Sequence, residues 1–370
     1  MRILWLNWRD IKNPEAGGAE VITHEVMERL AKRGHQMTLF TASFKGCQLN
    51  ENINGVDIIR EGNKYTVYKK AENYLKAYKH NYDLIFDEIN TRPFFAPKFA
   101  RQKQVIAVIH QLAREFWFYE MKFPLNYIGY YYLEKKWLSN YKNTMTVALS
   151  NSTKTDLEEL GFKRVSIVQP GLSIAPLSNV KEKEATPTLV FMGRLKKAKL
   201  PDHALKAFSI IKAEIADAKM WIIGDGYFRK KLESIERKDV TFFGKIPNEK
   251  KYDLLSRAHI ILVPAVREGW GLIITEANAM GTPAIGYDVH GLRDSIRNGE
   301  TGITVTEKTP TAMAKQAILL LRDSDRLYNY SKNALEFSRQ FNWDTTTNLY
   351  ENIINDIQSE TNGDSSVINV

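Results

Sequence analysis

Short apolar runs rich in β-branched residues recur along this chain, and most are followed by a stretch with helical spacing. They lie at residues 2–8, 37–41, 56–60, 83–87, 105–110, 145–149, 165–169, 188–192, 220–223 and 260–263. Runs this short and continuously apolar suit strands covered on both faces, so the sheets should be parallel and helix-covered. Strand–helix alternation of this kind gives an α/β class, a doubly wound parallel sheet. At 370 residues the chain holds more than one ordinary core. The polar stretch 178–187 interrupts the alternation, and a boundary is expected there. The expected organisation is an N-terminal domain over 1–175 and a C-terminal domain over 186–340. A last helix over 341–358 crosses back to the first domain, and a disordered tail fills 359–370.

One stretch concentrates the candidate chemistry, REGWGLIITEANAMGTPAIG over residues 267–286. It follows the strand at 260–263 with a loop holding Glu268, flanked by Gly269 and Gly271. A helix begins near Leu272 and stops at Gly281, before Pro283. The free amides and positive dipole end at Gly271, Leu272 and Ile273 make an anion site, and glycine lets a bulky group approach the backbone. Glu268 lies just outside the helix and Glu276 in its second turn, so both can line one pocket mouth. Carboxylates beside a cationic anchor suit a ligand with central phosphates and hydroxyls at both ends. A nucleotide-sugar has that form.

Other elements bear on the same chemistry. Gly17-Gly18 opens a helix ending near Gly34, but no G-x-G-x-x-G is present, so this is not the dinucleotide fingerprint. His110 closes a strand at the carboxyl edge, where such sheets bind ligands. GRLKKAK places Arg194 and Lys199 after the strand at 188–192; one supplies a planar fork for phosphate oxygens, the other a mobile charge. Gly224-Asp225-Gly226 and Gly244-Lys245-Ile246 end two further strands. The bland readings are tight turns, solvated loops and a satisfied histidine. Ser150 or Asn151 can cap the short helix that ends at Gly161.

Together these strings resemble the retaining glycosyltransferases of family 4, which have the GT-B fold. Glu268 and Glu276 occupy the E-x7-E signature; the GGAE element, SNSTKTDL and GRL-x-x-x-K match elsewhere. The resemblance implies two Rossmann-like doubly wound parallel-sheet domains facing across a cleft, with the donor held mainly by the second. It places Arg194 and Lys199 on the donor diphosphate, with amides near Gly271, Leu272 and Ile273. Glu276 falls to the ribose, Glu268 to the sugar hydroxyls, Gly244, Lys245 and Ile246 to the nucleobase, and His110 to the donor sugar. Gly17 and Gly18 approach the diphosphate and the acceptor. Retention of anomeric configuration is likewise implied by the resemblance. The chain departs from the family at Leu200, where glycine is common after the lysine, and at His290 and Asp294.

Composition narrows the classes. Hydrophobic residues make up 44% and charged residues 26%, as in soluble globular proteins. Cys47 is the only cysteine, so no disulfide framework or structural zinc is expected, and a reducing cytoplasm suits the chain. The start MRILWLNWRD does not read as a signal peptide. No metal is required where Arg and Lys neutralise the phosphates, and the pair Asp323 and Asp325 follows a late helix and reads as solvated. Through Val180 there are 25 Lys+Arg against 18 Asp+Glu, a balance of +7; the remainder carries +2. Aromatics mix with lysines over 65–82 and 116–141. That mixture suits either the inner face of an anionic membrane, serving a lipid-linked or other glycan acceptor, or helices packed on the sheet. The rivals to glycosyl transfer are a sugar-nucleotide epimerase of the same architecture and a non-enzymatic nucleotide or nucleic-acid binder. A glycan phosphorylase lacks its cofactor lysine signature here, and no nucleic-acid module is evident.

Overall fold

The computed structural model describes residues 1–101, 104–235 and 238–365. The chain forms two compact units. The first comprises Met1–Arg114, Phe123–Gly171 and Asn342–Val370; the second comprises Glu115–Lys122 and Leu172–Phe341.

The first unit is built on β1 (Arg2–Leu6), β2 (Gln36–Thr41), β3 (Asn50–Ile53), β4 (Val56–Arg60), β5 (Leu84–Glu88), β6 (Val105–Ile109), β7 (Met145–Ala148) and β8 (Val165–Ile167). Their order is β3-β4-β2-β1-β5-β6-β7-β8. Neighbours run parallel except β3, which pairs antiparallel with β4. All residues of β5 and β6 are buried, as strands covered on both faces must be, although β5 ends in Asp87 and Glu88. Edge strand β3, NENI, is not buried and carries no apolar run, so periodicity does not announce it.

Helix Gly18–Lys32 covers one face of this sheet through Ile22, Val26, Met27 and Leu30. Helix Trp343–Ser365 packs beside it, sending Tyr350, Ile353, Ile354 and Ile357 into the core around Trp5 and Phe86. Burying each such aliphatic side chain contributes about 1.5–3 kcal/mol, enough to bind this helix to the first unit. The helix runs past 359, where composition suggests that order ends. Arg164 grips Glu360 through two hydrogen bonds, at 2.9 and 2.6 Å. Residues 366–370 lie outside the described residues.

The second unit is wholly parallel: β9 (Thr188–Met192), β10 (Lys219–Ile223), β11 (Val240–Gly244), β12 (Ile260–Val263), β13 (Ala284–Tyr287) and β14 (Gly302–Val305). Their order is β11-β10-β9-β12-β13-β14. The division between units falls at Gly171–Leu172, ahead of the polar stretch 178–187. That stretch is fastened to the second unit. Glu184 N–H donates to Arg257 O at 2.9 Å, and the Lys183 amine donates to Ser256 O (3.0 Å), Gly281 O (2.8 Å) and Thr282 Oγ1 (3.1 Å). Lys183 and the Glu184 amide thus meet oxygens of the second unit, while Ser178, Asn179, Lys181 and Glu182 stay exposed, a division that composition alone cannot show.

Residues 116–141 pack on the first sheet chiefly at their end, where Leu138 and Tyr141 join a core cluster with Ala107, Ile109 and Ala148. Phe116–Glu120 belongs to the second unit. In the first unit, Leu125–Ile128, a wide turn over Gly129–Leu133 and Glu134–Leu138 bury only Gly129, Glu134 and Leu138. Phe123 is 79% exposed, Tyr131 62% and Tyr132 57%.

Candidate functional site

Each sheet has one point where successive crossovers leave in opposite directions, between β1 and β5 in the first and between β9 and β12 in the second. Loops at the carboxyl ends of such strands diverge and leave a crevice in which α/β proteins bind ligands.

In the second unit the Lys199 amine, from the loop after β9, donates to Glu268 from the loop after β12. The pair therefore spans the switch point. The Lys199 side chain is 25% exposed and that of Glu268 12%. Lys199 closes a single turn, Lys197–Lys199, and Leu200 then caps helix Pro201–Glu214 with φ 49°. The family's usual glycine is absent at Leu200, yet the backbone takes the left-handed conformation that glycine favours. Leu200 adopts this conformation at a local cost of about 1–2 kcal/mol.

Three residues beyond Glu268, Gly271 caps helix Leu272–Ala279 with φ 87°. Leu272 and Ile273 are half-buried at its first turn, where amide hydrogens lack helical partners. Glu276 accepts from the Lys251 amine at 2.8 Å and the Tyr252 hydroxyl at 3.3 Å, both on helix Asn248–Arg257. The two glutamates thus hold separate cations. Lys251 and Tyr252 belong to no motif, and only their proximity in space identifies them. Burial and the Glu276 carboxylate push the Tyr252 phenol well above its ordinary range.

The remaining second-unit residues gather at the same strand ends. Arg194 is half-buried just after β9. The loops after β9 and β10 touch so closely that a Cβ on Gly224 would lie 2.0 Å from Gly193 O, which requires glycine there. Gly244 ends β11 with φ 69°, followed by exposed Lys245 and half-buried Ile246. His290 and Asp294 both support the backbone around this loop. Glu268 N–H donates to His290 O at 3.0 Å, and Asp294 takes the Gly291 N–H at 3.1 Å. Arg267, 3% exposed, pairs with Glu115 at 3.0 Å and stiffens the loop beside Glu268. Asp323 caps helix Ser324–Ser338. Among the described residues no cluster of three His, Cys, Asp or Glu could hold a metal.

In the first unit Gly17 caps helix Gly18–Lys32, and its N–H donates to Glu20 Oε2 at 2.6 Å. Glu20 also pairs with Arg9 at 2.8 Å, so the glutamate of the GGAE element serves the helix start. Gly18 is exposed there. His110 follows β6 and is 9% exposed; burial pushes its imidazole down to about 4. Glu88, at the end of β5, is buried, and burial pushes its carboxyl up to about 8. Sequence reasoning passes over Glu88, because a glutamate ending an apolar strand carries no motif.

Beyond the carboxyl ends of β1, β2 and β4 opens a cavity of about 410 Å³, lined by residues including Trp8, Arg9, Phe44, Lys64 and Tyr65. A neighbouring one of about 300 Å³ shares Trp8, Lys64 and Tyr65 and adds Tyr68 and Arg92. Aromatic faces and cations converge here: Arg92 lies 4.6 Å over the Tyr68 ring and Lys64 5.0 Å over Tyr65. Ser150 caps its helix as its sequence suggests, accepting from Thr153 N–H.

Two family models divide the chain between them. Glycosyltransferase Family 4 matches residues 16–175, and Glycosyl transferases group 1 matches residues 177–337. A D-inositol 3-phosphate glycosyltransferase of Thermobispora bispora is 28% identical over 50% of this chain and 48% of its own. An N-acetyl-alpha-D-glucosaminyl L-malate synthase of Bacillus anthracis is 32% identical over 47% and 46%. The chain therefore spans about half the length of the curated relatives it matches. Among solved structures, a sucrose-phosphate synthase from Thermosynechococcus elongatus covers 97% of this chain and 99% of its own, with TM-score 0.79 at 19% identity. That likeness establishes the fold of both units as GT-B.

Proposed function

The chain belongs to the family 4 glycosyltransferases of GT-B fold, and on that premise we propose that it moves a sugar from a nucleotide-diphosphate-sugar to an anionic or lipid-linked glycan acceptor. The observation that carries this reading is the Lys199–Glu268 pair across the β9–β12 switch point, beside the open amides of helix Leu272–Ala279. In the free protein Glu268 holds Lys199. An arriving diphosphate competes for that ammonium and for Arg194, while the amides near Leu272 and Ile273 receive further oxygens. Glu268 is then released to accept from sugar hydroxyls. Glu276, fixed by Lys251 and Tyr252, takes the ribose. Gly244, Lys245 and Ile246 border the nucleobase, Gly17 and Gly18 the donor diphosphate and the acceptor, and His110 the donor sugar.

Charge grows on the departing nucleoside diphosphate, and cations already in place there lower the barrier. Bond breaking to the diphosphate and bond making to the acceptor oxygen occur on one face of the sugar. The acceptor's proton passes to the departing phosphate, and configuration is retained. Arg194 and Lys199 make a divalent metal unnecessary.

The acceptor fits the paired cavities of the first unit. Trp8, Tyr65 and Tyr68 offer faces for a sugar ring, and Lys64 and Arg92 offer charge to an anionic substituent. The names of both curated relatives contain an anionic compound, inositol 3-phosphate and malate, in keeping with that charge. A thermal-shift screen of nucleotide diphosphates tests the reading. Ligand at 100 times its Kd should stabilise the fold by about 2.7 kcal/mol. One base should raise the melting point, and Glu276→Gln should erase the rise. Indifference to every nucleotide would remove the donor from the account.

A further inference from the structure

The carboxyl ends of β1, β5 and β6, adjacent in the first sheet, bring Asn7, Glu88 and His110 together. Glu88 Oε2 accepts from Trp5 Nε1 at 2.9 Å and Thr23 Oγ1 at 2.5 Å. Its other oxygen, Oε1, has no hydrogen-bond partner. It faces His110 Nε2 at 3.8 Å, which has none either, and both atoms are shut off from solvent. Among the described residues no lysine or arginine pairs with Glu88, whereas Glu20 nearby has Arg9. A buried carboxyl without a cation is costly, and an apolar residue would fill the space at less cost. The pair therefore calls for a role beyond packing.

We propose that Glu88 is the positioning residue for His110: its carboxyl holds the imidazole from behind and decides which ring nitrogen carries the hydrogen. The proposal rests on the reading that His110 meets the donor sugar. Because Nε2 is sealed against Glu88, a ligand can meet the ring only at its remaining edge. With Glu88 protonated, its O–H is directed at Nε2, and Nδ1 carries the ring hydrogen and presents a donor. With Glu88 ionised, Nε2 carries the hydrogen toward the carboxylate, and Nδ1 becomes an acceptor. One hydrogen is shared in either state and neither needs an imidazolium. Burial favours the first state at neutral pH, since it pushes Glu88 up to about 8 and His110 down to about 4.

The neighbours bear on this hydrogen unequally. Glu20, on helix Gly18–Lys32, is held by Arg9. Asn90, after β5, donates to Asn7 Oδ1 at 3.1 Å, and its side chain also favours the ionised Glu88 carboxyl, less strongly than burial opposes it. Asp87 turns to the other face, accepting from Tyr141 and the Phe94 and Ala96 amides. The Tyr350 phenol, on helix Trp343–Ser365, is pushed far up by burial and stays protonated throughout.

Long-range proton–nitrogen spectra of histidine-labelled full-length protein read the tautomer directly, with His110 signals identified by their loss in His110→Gln. The wild type should show Nδ1–H at pH 6 and exchange it for Nε2–H as pH rises through about 8. Glu88→Gln, which keeps the shape but cannot ionise, should hold one tautomer across the same range. In turnover, the wild type should lose activity above that pH. Glu88→Gln should flatten this limb, and Glu88→Ala should lower kcat about tenfold or more with donor KM little changed. An identical His110 tautomer at every pH in wild type and Glu88→Gln overturns the proposal, as does an imidazolium at pH 7. A tautomer exchange combined with normal turnover in His110→Ala supports the coupling and instead removes the sugar-contact reading of His110.

Discussion

At the residue scale, the account turns on which side chains hold each other before a donor arrives. Lys199 is engaged by Glu268, and Glu276 by Lys251 and Tyr252. Arg194→Ala or Lys199→Ala should each cost about 2–4 kcal/mol of transition-state stabilisation, read as lowered kcat/KM. Unchanged turnover in both would take the clamp out of the argument. Glu268→Gln should cut kcat and leave nucleotide affinity nearly intact, whereas Glu276→Gln should weaken nucleotide binding first. The reverse pattern would exchange their roles.

The buried acid and base also couple stability to pH. Glu88 is raised from 4.5 to about 8, so its contribution is present at low pH and lost as pH rises through that window. His110 is lowered from 6.5 to about 4, so its contribution is lost as pH falls through that range. The two oppose one another between about 4.5 and 6.5, leaving the Glu88 loss visible from there to 8. Lys183, pushed by burial from 10.5 down to about 7, adds stability as pH rises above that value. The difference in melting point between wild type and Glu88→Gln therefore isolates Glu88. It should change between pH 6.5 and 8, and a constant difference would mean that the carboxyl does not titrate there.

At the element scale, the strands were the most legible part of the sequence. Val105–Ile109 and Ile260–Val263 are continuous apolar runs, buried along their whole length, and burial on both faces leaves little else for them to be. Strand β3 escaped because an edge strand needs no apolar face. The stretch 178–187 misled because Lys183 looks solvated in sequence and is in fact half-buried, donating to three oxygens. Helix Trp343–Ser365 is an integral part of the first unit's core through Ile354, which is fully buried. Ile354→Ala should cost about 2–5 kcal/mol and lower the melting temperature accordingly. A loss under 1 kcal/mol would mean that the helix is peripheral to that core.

The site was half legible for a related reason. Motif residues such as Glu268 and Lys199 lie in loops at strand ends, where a sequence string fixes a place in the fold. Glu88, Lys251 and the cavity around Trp8 depend on residues distant in sequence, and no string links them.

At the scale of the whole molecule, the exposed Phe123, Tyr131 and Tyr132 lie close in sequence to Lys135 and Lys136 on the first unit. Together with the +7 balance of the first half, they motivate a proposed contact with an anionic leaflet. No helix among the described residues is long and apolar enough to cross a membrane. Each lysine near such a surface contributes about 1 kcal/mol, screened over about 8 Å at physiological salt. The protein should sediment with anionic vesicles and not neutral ones, and changing Lys135 and Lys136 to Glu should weaken that association. Remaining in the supernatant with both vesicles at low salt would favour a soluble acceptor. The central claim is glycosyl transfer, and the most direct measurement is turnover of radiolabelled nucleotide-diphosphate-sugars by the purified chain in the presence of chelator, with Lys199→Ala in parallel. The account predicts release of nucleoside diphosphate from one donor, unaffected by chelator and reduced in Lys199→Ala. Equal turnover in wild type and variant, or conversion of the donor to an isomeric nucleotide-sugar without release, would contradict it.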